Sequence, residues 1–249
     1  MKRILVLACL LFQTTAYAAD ASVDALLVQT NQSLTAYSQV QDYVSVFEKE
    51  EMDDGKLSGP EKIYLRFEKP FKIFMHWLNT GKKGLQVLYE RGRHDGKLVI
   101  HKPGLLLGLM PVVFLEQSSP LVREGSEAYD IEDAGIGTFL TDLAEQTATA
   151  AKQGALEVKA NGRVVRNGIE GEEFDIYFKN TTSESEVMAY HVNVIFDANT
   201  HLPVYQELYD WDNQLMGRYV YKELRLNVGE EPTFKQNIHR TLYNIYNSK

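Results

Sequence analysis

The spacing of apolar residues along this chain changes more than once, and each change marks an element. Ile4 to Phe12 is an unbroken apolar run. Beyond it, Val23, Leu26, Leu27, Leu34 and Tyr37 recur at helical steps, with Ser22 placed to cap the helix. From Asp42 the period falls to two, and segments 42–52, 61–69, 71–78, 84–91 and 97–102 read as strands. Ile63, Leu65 and Phe67 alternate with Tyr64, Arg66 and Glu68, while Ile73, Met75 and Trp77 alternate with Lys72, Phe74 and His76. Such alternation predicts a sheet with one buried face and one wetter face. A second helix is predicted over 138–152, with Phe139, Leu140, Leu143 and Ala151 along one side. Strands resume at 154–160, 163–169, 172–179, 187–197, 202–210 and 214–227.

The connections are short and rich in turn formers. Asp53-Asp54-Gly55, Lys69-Pro70, Thr80-Gly81 and Asp95-Gly96 separate the first strands; Gly154, Asn161-Gly162, Gly171, Asn199-Thr200 and Asp212-Asn213 punctuate the later ones. Short turns require antiparallel neighbours, because parallel strands need crossovers of a dozen or more residues. The expected class is α+β, mostly β: a single strongly curved antiparallel sheet, or half-barrel, with helices covering its concave side. No shift in composition marks a linker, so residues 19–249 are expected to form one domain.

The beginning of the chain changes the picture of where it works. Met1-Lys2-Arg3, the apolar run and Ala16-Tyr17-Ala18 have the layout of a cleavable signal peptide, residues 1–18, addressed to the periplasm. The run is well short of the ~20 apolar residues a membrane span needs, and no later stretch reaches that length. The mature chain is therefore expected to have no transmembrane span. Cys9 lies inside the leader, which leaves the mature chain without disulfides, thiolate nucleophiles or Cys-ligated zinc. The whole chain of 249 residues carries 26 Lys+Arg against 34 Asp+Glu, a net charge of −8, and lacks a basic block. Nucleic acid is excluded as a partner, since phosphate neutralisation needs clustered Lys and Arg.

Two stretches resemble known families. Ile195-Phe-Asp-Ala-Asn-Thr-His-Leu-Pro-Val-Tyr-Gln-Glu-Leu-Tyr-Asp210 resembles the strand–turn–strand hallmark of periplasmic lipoprotein-carrier and lipoprotein-sorting proteins. Asp197 and Asn199 suit the turn, and Pro203 at a strand's first residue costs no central ladder bond. The second resemblance runs through Phe67-Glu-Lys-Pro-Phe71, Leu85-Gln-Val-Leu-Tyr89 and Asp95-Gly-Lys-Leu98, with Gly135-Ile-Gly-Thr-Phe139 and Leu226-Asn-Val-Gly229. These are similar to the exported bacterial family of domain of unknown function 1571. The resemblance implies export and a lipoprotein-carrier-like fold; the family has no established activity. Carrier relatives enclose acyl chains in an apolar cavity between sheet and helices, which is a likeness of fold and assigns no contact here.

Catalytic motifs are missing. The chain has no Gly-x-Ser-x-Gly elbow, no His-Glu-x-x-His helix and no phosphate loop. Gly135-Ile-Gly137 lacks a third glycine and reads as a loop entering a helix. His76, His94, His101, His191, His201 and His239 are scattered without ligand spacing; His76, His101 and His191 fall on the wetter phase of strands and are expected at the surface or lightly buried. Asp210-Trp-Asp212-Asn213 lacks the glycine and glutamate of a calcium loop and reads as a hairpin turn. Glu48 to Asp54 and Asp130 to Asp133 read as solvated acidic turns. No catalytic residue, metal or cofactor is assigned.

The unusual segment is Pro103-Gly-Leu-Leu-Leu-Gly-Leu-Met-Pro-Val-Val-Phe-Leu115, nearly all apolar and broken by Pro and Gly. It reads either as a buried crossover or as a lid over an apolar cavity. In the second reading Leu105, Leu106, Leu107, Leu109 and Met110 meet a lipid, with Phe47, Phe67, Met75, Trp77 and Tyr89 facing it from the sheet. The favoured expectation is a periplasmic, non-enzymatic binder or carrier of a lipid or lipidated protein. The alternatives are a cell-envelope interaction or sensory module with a filled core and a protein partner, and a hydrolase with an unrecognised site.

Overall fold

The structure, a computed structural model, describes residues 4–53, 55–104, 112–119, 131–179, 187–230 and 232–248, with side chains from residue 21 onward except at 53, 232, 233 and 237. The class is the expected one, mostly β with antiparallel strands and a few helices. The chain divides into two compact units: a first of Gln39–Thr138 with Gly217–Lys249, and a second of Met1–Ser38 with Phe139–Met216.

In the first unit, β1 (Asp42–Asp53), β3 (Glu61–Glu68), β4 (Lys72–Trp77), β5 (Gln86–Glu90), β6 (Leu98–His101) and β7 (Val113–Leu115) follow one another as antiparallel neighbours. The short β2 (Lys56–Leu57) folds back on β1, whose other edge takes β12 (Leu215–Leu226). The register joins Phe47 to Ile63 to Trp77, Leu65 to Met75 to Val87, and Phe67 to Ile73 to Tyr89. Directly paired residues share a face, so the alternating set read from the sequence is gathered on one side.

The opposite side departs from expectation. Tyr64, Arg66, Phe74 and His76 were expected on a wetter face, yet α3 (Pro232–Asn237) and α4 (Arg240–Asn247) cover it. Phe234, Ile238, Leu242 and Tyr246 recur every fourth residue and pack on Phe74, Leu88 and Val99, with Phe234 meeting Phe74 edge-on at 5.2 Å. A four-residue spacing aligns side chains along one stripe of a helix, which is why so short a pair of helices can close a sheet face.

The acidic stretch after Phe47 is likewise no solvated turn. Residues 48–53 continue β1, with Glu48 ion-paired to Lys222 at 2.7 Å, Glu50 to Arg218 at 2.6 Å and Glu51 to Lys49 at 2.7 Å, and Asp54 lies outside the described residues. At the other acidic stretch, Ile131–Asp133 form a 3-10 turn.

The second unit holds β8 (Leu156–Arg166), β9 (Ile169–Phe178), β10 (His191–Asp197) and β11 (Pro203–Tyr209), each antiparallel to the next. α1 (Ile4–Ser38) packs on β8, and most of α2 (Ile136–Lys152) belongs here too. α1 runs continuously through Ser22, so that residue is interior to the helix and not its cap. The apolar run before it continues the helix without a break. Among the described residues no helix is long and apolar enough to cross a membrane.

Two predicted strands, 154–160 and 163–169, are one. Asn161-Gly162 does not turn the chain; the pairing shifts by one residue between Ala160 and Gly162, a bulge inside β8. The turn lies at Asn167-Gly168, whose φ values of 53° and 80° suit the two-residue hairpin loops that match strand twist. Gly171, read as a break between strands, lies within β9 opposite Asp197. Pro203 opens β11 as expected, and the Asp197 carboxylate accepts from the backbone N–H of Asn199 at 3.1 Å and of Thr200 at 2.7 Å to build the turn before it.

Candidate functional site

Five of the nominated residues come together. Phe47, Phe67, Met75, Trp77 and Tyr89 lie on one face of the first unit, brought there from β1, β3, β4 and β5, and are only 3–8% exposed. Leu105, Leu106, Leu107, Leu109 and Met110 lie outside the described residues. Tyr43, Phe71 and Tyr221 extend the aromatic row: Tyr43 stacks on Phe67 at 5.1 Å, Phe71 meets Tyr89 edge-on at 5.9 Å, and Tyr221 lies 4.8 Å from Phe47. Tyr43 and Phe71 hold in-phase apolar positions beside nominated residues, so alternation could have found them.

Polar bonds fix both ends of this face. At one end the Trp77 indole N–H donates to Glu61 at 2.9 Å, and Lys82 lies 2.8 Å from the same carboxylate. Burial works against the Glu61 charge, but the hydrogen bonds from Lys82 and Trp77 outweigh it and hold the carboxyl below its ordinary range. At the other end the Tyr89 hydroxyl donates to Glu132, which also pairs with Arg91 at 3.0 Å. That hydrogen bond from Tyr89 is the chief reason the Glu132 carboxyl titrates low. Tyr43 adds a link to the helix: its hydroxyl accepts from the Ile136 N–H at 3.2 Å where α2 begins. Between these ends the described side chains are mainly hydrocarbon, aromatic rings and a thioether, and the Ser45 hydroxyl among them is taken up by the Lys222 carbonyl at 2.8 Å, which suits apolar matter.

The second unit presents a different constellation, which sequence reasoning missed. Asp175, Asn193 and Glu207 stand opposite one another on β9, β10 and β11. Asn193 donates to Glu173 at 3.1 Å and to Asp175 at 3.0 Å, and Arg166 pairs with Glu173. The hydroxyls of Tyr205 and Tyr209 donate to Glu207 at 2.8 Å and 2.9 Å. His191, expected at the surface or lightly buried, is buried, its ring stacked between Tyr177 at 4.3 Å and Tyr209 at 4.6 Å. The stacked rings on either side and the bonds to Asp175 and Asn213 account for its burial.

This network has the residue types of a hydrolase and lacks the freedom of one. Both ring nitrogens of His191 are engaged, Nε2 with Asp175 at 2.9 Å and Nδ1 with Asn213 at 3.2 Å. A general base needs a nitrogen within reach of the substrate's proton. The His191 bond first, and then those from Asn161 and Asn193, overcome burial and hold the Asp175 carboxyl far below its usual range. Asp175 therefore stays ionised near neutrality and cannot act there as a general acid. The arrangement is a satisfied polar network that ties strands together. Asp175→Asn is expected to flatten the acid limb of stability. A depressed folded pKa gives stability that is present above the unfolded value near pH ~4 and is lost as pH falls through the folded one. Urea midpoints between pH 6 and pH 3 check this, and an unchanged acid limb in the variant would contradict it.

Among the described residues no group of His, Cys, Asp or Glu is arranged to hold a metal ion. The family model described as protein of unknown function (DUF1571) matches residues 40–237. The chain belongs to that family. No curated protein sequence matches this DUF1571 chain. Among solved structures it is similar to the lipoprotein LppX of Mycobacterium tuberculosis, at 12% identity and TM-score 0.48, covering 84% of this chain and 98% of that one. It is also similar to the MucA/MucB complex of Pseudomonas aeruginosa, at 16% identity and TM-score 0.46, over 86% of this chain and 61% of that one. A third likeness is to a LolA superfamily protein of Nitrosomonas europaea, at 10% identity and TM-score 0.36, over 84% and 95% of the two chains. The DUF1571 match spans the apolar face as far as Tyr221 and the whole polar network, and it stops before α4.

Proposed function

We propose that this protein is a non-enzymatic binder or carrier of a lipid or lipidated protein, exported to the periplasm by its leader at residues 1–18. The observation that carries the reading is the convergence of Phe47, Phe67, Met75, Trp77 and Tyr89 on one face, anchored at both ends by hydrogen bonds to Glu61 and Glu132. Rigid aromatic anchors and an adaptable thioether fit chains of variable length. Each buried CH₂ contributes about 0.8 kcal/mol, so an acyl chain of a dozen carbons gains about 10 kcal/mol before the cost of immobilisation. A ligand of that kind is held without charged contacts. Leu105, Leu106, Leu109 and Met110 are assigned to the same ligand on their sequence alone.

Titration with a fluorescent fatty acid tests the assignment. The Leu106→Asp, Met110→Asp double variant is expected to lose saturable binding with its circular dichroism unchanged. Retained binding would remove these residues from the site.

A second reading is favoured by the 3–8% exposure of the same five side chains. In it they form a filled core, and the protein is an envelope interaction module with a protein partner. The two readings differ in whether the purified protein carries lipid.

A further inference from the structure

Two histidines stack where α4 begins, and a third stands in the same cross-strand row. Across the covered face of the first unit, Tyr64, His76, Gln86 and His101 stand in one row from β3 to β6. His239 comes down on that row from the start of α4, its ring stacked on His101 at 4.0 Å and 13°. The His239 backbone N–H donates to the Gln86 side chain at 2.8 Å, while its Nδ1 accepts from the Thr241 N–H at 3.3 Å and so caps the helix. His76 Nδ1 is buried with no hydrogen-bond partner.

We propose that this stacked histidine pair, with His76 in the same row, is an acid-released latch, holding α3 and α4 against the sheet near neutral pH and freeing them on acidification. Protonation acts on it in three ways. A protonated Nδ1 on His239 cannot accept the Thr241 bond. A positive charge at a helix N-terminus opposes the helix dipole. Two imidazolium rings at stacking distance repel each other, and His101 also acts on His76 across Gln86.

The surroundings add positive charge to this end of the helix. Arg240 follows His239 in α4, Lys102 follows His101 just past the end of β6, and Lys235 of α3 lies 5.5 Å from the Tyr243 ring. Tyr64 is the titratable neighbour on β3. The carboxylates facing α4 sit at its other end, where Glu68 is bound by Arg66 and Tyr246 and Glu90 pairs with Lys72 at 3.6 Å. Burial first, and then the charge of His101, hold both His76 and His239 below the ordinary histidine range. A depressed folded pKa means that docking is complete above the unfolded value of about 6.5 and weakens as pH falls below it. The stacked rings point their lone pairs along parallel planes, so they do not converge on one ion. The contact is built for a proton. Its release would uncover Phe74, Leu88 and Val99, and it does not depend on the lipid reading.

Hydrogen exchange of the full chain at pH 7.5 and pH 5.5, corrected for intrinsic rates, is the test. Protection of amides in 234–247 is expected to fall about tenfold or more on acidification, while β9 and β10 keep theirs. Equal protection at the two pH values would overturn the latch. His239→Asn keeps a capping side chain and removes the titrating ring. In that variant, and separately in His76→Gln, the pH response should shrink; an undiminished response in both would equally overturn it.

Discussion

Alanine at position 171 is expected to cost about 3 kcal/mol, the upper end of the range for forcing atoms into a packed interior. A Cβ built on Gly171 would lie 2.1 Å from the backbone carbonyl oxygen of Phe196 and 2.8 Å from the Ile195 side chain. The obstacle is main chain, not the tip of a movable side chain, so relief requires β9 and β10 to part where Gly171 pairs with Asp197. Gly154→Ala is the control. Its site has nothing within 4 Å, but its φ is +67°, so only the left-handed backbone penalises a side chain, by about 1 kcal/mol. Urea unfolding of the two variants separates a steric cost from a conformational one. Gly171→Ala as stable as the parent would mean that the β9–β10 pairing is not as described.

Glu68→Ala is expected to cost about 3–5 kcal/mol, because it strands a buried arginine. Arg66 is 4% exposed and reaches Glu68 at 2.8 Å, the Tyr246 hydroxyl at 3.0 Å and the Gly229 carbonyl at 2.6 Å. Its guanidinium also lies 5.0 Å from the Phe234 ring, under α3. Glu68 is its only ion-pair partner among the described residues. Burial opposes the Glu68 charge, yet hydrogen bonds from Tyr246 and Arg66 prevail and hold the carboxyl low. The wild type should therefore keep this contribution above pH ~4 and lose it as pH falls further, a window separate from that of the histidine latch. Replacing the pair together, Arg66→Met with Glu68→Leu, should recover most of the loss, since an apolar pair of similar volume removes the stranded charge. A single variant with the parent's urea midpoint would show that the carboxylate does not neutralise Arg66.

The sheet of the first unit was legible because alternation needs no partner to be seen. Ile63, Leu65 and Phe67 carry their phase in the sequence, and so do Ile73, Met75 and Trp77. The C-terminal helices were harder. Phe234, Ile238, Leu242 and Tyr246 display the four-residue step, but it is spread over helices of six and eight residues, each too short to form without the sheet beneath it. Asn161-Gly162 reads as a turn and Asn167-Gly168 as strand interior; the ladder makes the first a bulge and the second the turn, a choice set by pairing with β9. The polar network could not be read ahead of the register. Glu173, Asp175, His191, Asn193 and Glu207 look like the wet phase of three separate strands until alignment makes them one bonded group. A solvent-facing phase and a phase of mutually satisfied polar groups have the same letters.

In the proposed function the apolar face of the first unit takes a lipid. The most direct test is the protein produced in a bacterial periplasm, purified without detergent, extracted with organic solvent and examined by mass spectrometry. Near-stoichiometric lipid is expected, reduced in a Trp77→Asp variant that still folds. Protein free of lipid, and unable to take up an added acyl chain, would contradict it and leave the filled-core interaction module as the function to pursue.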